Sequence, residues 1–173
     1  MSFVGEFGFE LHVPTDHGAQ LWDLVWEAGK SHGLTPVGSV ALDSLSKEMG
    51  YLIYGHDINA GHTPLEAGLA WAVKKEGEFI GRYHLSQQKQ TGLTRKRCTL
   101  LFESGLALGG EPVLDGEKCI GYITSANGGY TIGKHIAYAY LPIEYTKIGT
   151  NLTVEYFGQR INVTVTKQPL KKG

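Results

Sequence analysis

The second half of the chain restricts the fold most. From Leu93 onward, short runs of alternating apolar and polar residues are separated by turn residues. A period of two places one side of each run on a core and the other in water. Residues 97–102, 112–114, 118–124, 136–141, 151–157 and 161–166 are the expected strands. Asp115-Gly116 and Gly158-Gln159 lie between neighbouring runs and read as hairpin dipeptides. Strands this short and this closely spaced predict a small antiparallel barrel or sandwich. Ala126-Asn127-Gly128-Gly129-Tyr130 lacks the spacing of a phosphate-binding loop and reads as a polar hairpin end. The alternative for its surroundings is an anion contact made by Thr124, Ser125 and Lys134.

The first half follows a helical period instead. Leu21, Leu24, Val25 and Ala28 predict a helix over 18–32, with Thr15 or Asp16 as its cap and Gly33 at its end. Trp22 and Trp26 share an adjoining stripe and are expected in a core. Ser39 is the expected cap of a second helix over 40–49 that Gly50 stops. A third, short amphipathic helix is expected over 81–92, with Tyr83 and Leu85 as its apolar residues. The fold class is therefore α+β. The pattern changes near residues 86–94, which divides the chain into parts over 1–85 and 94–170.

Composition excludes several functions. Sixteen basic residues stand against 17 acidic ones, a formal charge of -1, so nothing draws the chain generally to nucleic acid or to an anionic membrane. Cys98 and Cys119 are too few for a disulfide framework and form no CxxC, which points to a reducing compartment. His56 and Asp57 are adjacent, but no second ligand follows at metal-site spacing, so no metal is expected. No catalytic triad can be assembled from sequence positions alone.

The opening stretch, residues 2–14, reads as a strand with Phe9, Leu11 and Val13 on one face and Glu10 and His12 on the other. Gly5 and Gly8 interrupt its first half, which suggests a bend or a close backbone approach by a ligand. By residue pattern, Glu10 is either a solvated strand carboxylate or the partner of a flat polar ring.

Several motifs occur together and in order. They are Ser2-Phe3-Val4-Gly5-Glu6-Phe7-Gly8-Phe9-Glu10-Leu11, Ala41-Leu42-Asp43-Ser44-Leu45, Gly55-His56-Asp57-Ile58 and Thr63-Pro64-Leu65-Glu66-Ala67-Gly68-Leu69. Ile120-Gly121-Tyr122-Ile123-Thr124-Ser125 and Ile136-Ala137-Tyr138-Ala139-Tyr140-Leu141-Pro142 follow. In this order the chain resembles the C-terminal part of the glycine-cleavage T-protein (aminomethyltransferase) superfamily. The closing segment, Tyr156-Phe157-Gly158-Gln159-Arg160 to Pro169-Leu170, looks most like the flavin-linked dimethylglycine and sarcosine dehydrogenases and oxidases.

The resemblance implies the C-terminal portion of a tetrahydrofolate-binding domain over 1–85, followed by a β-barrel over 94–170. It implies a one-carbon-transfer enzyme as the parent. In the flavin branch a further N-terminal domain carries FAD and demethylates an N-methylated glycine. The alternatives are an aminomethyltransferase of the glycine cleavage system and a non-catalytic interaction module on the same scaffold. Because the family's catalytic Asp lies upstream in the pattern, no catalytic residue is expected in this chain, and no turnover by it alone. Glu10 matches the family's pterin-binding Glu, Phe3 stands where relatives often have Tyr, and Tyr51 and Tyr54 match aromatic positions after the second helix. Leu42 and Ser46 depart from the pattern, which has Arg there. The implied location is the cytoplasm, or the mitochondrial matrix in a eukaryote.

Overall fold

The computed structural model describes residues 2–168 and Leu170; Met1 and Pro169, at the ends of the two expected parts, lie outside the described residues. Six strands, β1 (Arg95–Phe102), β2 (Pro112–Asp115), β3 (Lys118–Gly129), β4 (Lys134–Pro142), β5 (Asn151–Tyr156) and β6 (Gln159–Thr166), close into a barrel. Its order is β1-β4-β3-β2-β5-β6, and each neighbouring pair is antiparallel. Inward alternation puts Leu100, Val113, Ile123, Ala139, Val154 and Val163 into one core. Closure leaves no open edge, so this sheet satisfies its own backbone and buries its own apolar face.

Both hairpin turns fall one residue earlier or later than expected. Asp115 still pairs with Lys118, so the first turn is Gly116-Glu117. Tyr156 pairs with Gln159, so the second is Phe157-Gly158. Phe157 there takes a left-handed φ of 47°. The stretch 126–129 is not a hairpin end. It is ladder-paired within β3, and the turn follows at residues 130–133. The β3–β4 register shifts between Ile123 and Ser125, so Thr124 is an extra residue in the strand.

Three helices precede the barrel: α1 (Gly18–Gly29), α2 (Ser39–Met49) and α3 (Arg82–Thr91). A 3-10 turn over Lys30–His32 extends α1, and Gly33 ends it with φ 77°. Two expected caps are absent. Thr15 and Asp16 lie in a 3-10 turn of their own, and Ser39 is already inside α2, where Gly38 holds the cap position without a side-chain bond. The expected opening strand is also absent: among the described residues no strand precedes Arg95. Phe9, Leu11 and Val13 are exposed, because alternation alone makes no strand without a partner to pair with. The two tryptophans of α1 are not in a core either. No residue of α1 is buried, and Trp22 is exposed. α3 likewise buries nothing and leaves Tyr83 in water.

Candidate functional site

α2 buries a polar face: Ser44, Ser46, Lys47 and Glu48. Buried polar groups need partners, and the barrel supplies them. The Ser44 hydroxyl donates to the Gly128 carbonyl of β3. Glu48 accepts the Thr131 N–H at 2.9 Å and also the Thr131 hydroxyl. The Lys47 ammonium donates to the Ser125 hydroxyl, stands 3.9 Å from Asp57 Oδ1 and lies 4.1 Å over the Tyr138 ring. Burial pushes the Lys47 pKa below its ordinary value, and the Asp57 charge opposes that shift.

Asp57 is the second centre of this seam and is fully buried. Its Oδ2 accepts the Ile53 N–H at 3.0 Å, and its Oδ1 accepts the hydroxyls of Thr124 and Ser125. From β4, the Tyr140 hydroxyl donates to the Asp57 carbonyl at 3.2 Å and the Tyr138 hydroxyl to the Lys47 carbonyl at 2.8 Å. Burial raises both phenols, Tyr140 to about 12. Gln168 ties the closing segment in. It donates to the Lys47 carbonyl at 3.1 Å and accepts from Arg97 Nη1 at 2.9 Å.

The loop before the barrel is pinned to β1 by a second ion pair. Arg95 Nε donates to Glu66 Oε1 at 3.1 Å, and the Thr63 N–H donates to Glu66 Oε2 at 2.9 Å. Burial would raise the Glu66 pKa, but Arg95 and the Thr63 N–H outweigh it and hold the carboxyl below its usual range.

Above this seam the chain turns back on itself. Gly50 ends α2 with φ 85°, and the Tyr51 N–H donates back to the Ser46 carbonyl at 3.0 Å. The Ser46 hydroxyl donates to the Phe3 carbonyl and draws the opening stretch in. Gly5 permits that approach, since a Cβ there would lie 2.5 Å from Met49 Cγ. Phe3, Glu10 and Tyr51 thereby line one cavity of about 420 Å³, with Ser46 and Ile53 in its wall. The Glu10 carboxylate is 81% exposed at the rim, 3.4 Å from His12 Nε2. Tyr54 does not line this cavity and points its ring into water. Two cavities adjoin, one of about 560 Å³ beside Arg97, Gln168 and Trp71 and one of about 300 Å³ beside Lys47, Asp57 and Ser125; Tyr51 lines all three.

Chemically, the Glu10 rim presents an acceptor-only carboxylate next to aromatic rings. That set suits a flat heterocycle with parallel N–H donors. Among the described residues, no group of three or more His, Cys, Asp or Glu is placed to hold a metal. Sequence reading missed Lys47 and Asp57 as partners. Ser125, which the sequence offers with Thr124 and Lys134 only as an alternative anion contact, bonds to Lys47 and Asp57. The available signal was polarity on one helical side, where Ser44, Lys47 and Glu48 recur at intervals of three and four.

Residues 1–77 match the GCVT N-terminal domain, and residues 95–172 match the glycine cleavage T-protein C-terminal barrel domain. The chain belongs to the glycine cleavage T-protein superfamily. An aminomethyltransferase of Symbiobacterium thermophilum is 39% identical over 170 residues, covering 96% of this chain and 45% of that protein. One from Rippkaea orientalis is 41% identical over 170 residues, with the same two coverages, 96% and 45%. In structure, the glycine cleavage system aminomethyltransferase T of Bartonella henselae superposes with a TM-score of 0.82 at 29% identity, covering 92% of this chain and 45% of that one. The chain thus spans just under half the length of these T-protein relatives.

Proposed function

We propose that the chain is the folate-holding and barrel part of a tetrahydrofolate-dependent aminomethyltransferase, the T-protein of the glycine cleavage system. The observation that carries this reading is the single cavity shared by Phe3, Glu10 and Tyr51. The ring N–H and exocyclic amine of a pterin would place two parallel donors on the Glu10 carboxylate, a bidentate arrangement with strong directional preference. Phe3 and Tyr51 supply apolar faces for the heterocycle. The relatives support the aminomethyltransferase reading, since they carry that name. The flavin-linked branch suggested by the closing segment has no such support, so FAD and an N-methylated glycine stand outside the proposal. The part assigned to this chain is binding and orientation; turnover belongs to the whole protein.

Calorimetry with 5-formyltetrahydrofolate tests the reading. The chain is expected to bind, and Glu10→Gln, which keeps one acceptor oxygen but loses the charge, is expected to raise Kd by about tenfold or more. Equal affinity in the two proteins, or no binding by either, would overturn it.

A further inference from the structure

We propose that Lys47 and Asp57 are positioning residues: they fix the wall of the Phe3–Glu10–Tyr51 cavity by bracing it against the barrel, without touching what the cavity holds. The folate reading enters only in naming the occupant.

The two side chains are 7% and 1% exposed and stand 3.9 Å apart. A buried ion pair is weak as a stabiliser, because desolvation offsets most of the attraction. What it supplies here is placement. Asp57 closes the 53–57 turn on itself, since its carboxylate takes the Ile53 N–H and its own N–H donates to the Ile53 carbonyl at 2.8 Å. The same residue is held to the barrel by the hydroxyls of Thr124, Ser125 and Tyr140. Ile53 lines the cavity that contains Glu10.

Lys47 holds the other end of that wall. Its ammonium reaches Ser125 and its carbonyl is taken by Tyr138 and Gln168. The preceding residue, Ser46, holds the Phe3 carbonyl with its hydroxyl and accepts the Tyr51 N–H at 3.0 Å on its own carbonyl. A shift of Lys47 therefore moves Phe3 and Tyr51 together. The cavity beside Lys47 and Asp57 shares Ser46, Tyr51 and Ile53 with the Glu10 cavity, so one wall has the brace behind it and the binding face in front.

Amide hydrogen exchange and 5-formyltetrahydrofolate calorimetry on the full chain test this. Lys47→Met keeps the aliphatic stem, removes the ammonium and leaves Asp57 as an uncompensated buried charge. Adding Asp57→Asn removes that charge. In Lys47→Met, exchange at the Ile53 and Asp57 amides is expected to quicken about tenfold while that of Leu100 and Val163 holds. Kd is expected to rise about fivefold, and the double variant, which lacks both bracing groups, is expected to recover neither effect. Unchanged exchange at Ile53 in a folded Lys47→Met protein overturns the proposal, and so does a double variant restored to wild-type exchange and affinity, since the stranded charge alone would then explain the single variant. Should Lys47→Met fail to fold, Ser125→Ala removes only the barrel hydroxyl. Faster exchange at Ile53 then supports the brace, and unchanged exchange overturns it. A wild-type chain that binds no folate while its variants show the expected exchange pattern keeps the brace and retires the folate reading.

Discussion

Leu100 in β1 and Leu24 in α1 both sit on regular secondary structure, yet one is fully buried and the other 61% exposed. The contrast extends to their surroundings. The barrel encloses an apolar core on all sides, whereas none of residues 2–43 is buried, and Phe7, Phe9 and Trp22 stand in water. A closed sheet needs no partner to cover its inner face. A helix needs one, and its apolar stripe contributes little until it has one. The stability of this chain therefore resides in the barrel, and the helical part is retained through the polar seam under α2.

The sharpest way to break that contrast is a pair of truncations. Leu100→Ala is expected to cost about 3 kcal/mol in urea melts, as a buried leucine that leaves a cavity. Leu24→Ala is expected to stay within about 0.5 kcal/mol. Comparable losses at the two sites would end the distinction. The seam should lie between these extremes. Glu48→Gln replaces one acceptor with an amide that faces the Thr131 donors, and is expected to cost about 1–3 kcal/mol in the same melts. A loss near zero would mean that α2 is held by something other than its polar face. The smallest effect belongs to the barrel's exposed rim. Phe157 holds a left-handed backbone while almost fully exposed, so Phe157→Asn should raise the melting midpoint, with a gain in stability of less than about 1 kcal/mol. A lower midpoint would show that the edge contact of Phe157 with Tyr156 outweighs the backbone strain.

The barrel was legible because its signals are local. Alternation and turn dipeptides mark each strand within a few residues, and the hairpins slipped by only one position because Asp115 and Gln159 join the ladders. The same alternation misled at Phe9, Leu11 and Val13, where no strand lies alongside. The tryptophans of α1 showed a stripe but not what it would meet. The seam was opaque for a different reason: Lys47 and Ser125 are 78 positions apart, and no local rule pairs them. Of the candidate site, Phe3, Glu10 and Tyr51 emerged from an ordered set of motifs, not from residue pattern. Tyr54 followed from the same motifs but lies outside the cavity.

The extra residue in β3 has a consequence for how such a seam can arise. Ile123 pairs with Ala139, and Ser125 with Tyr138. Deleting Thr124 would thus join an inward residue directly to an outward one, in unbroken alternation. Ala126, opposite Ala137, would keep its side. The insertion adds a second hydroxyl for Asp57 without turning any core residue to the outside. A single codon gained or lost at this point can strengthen or weaken the grip on the preceding part while leaving the barrel's interior untouched.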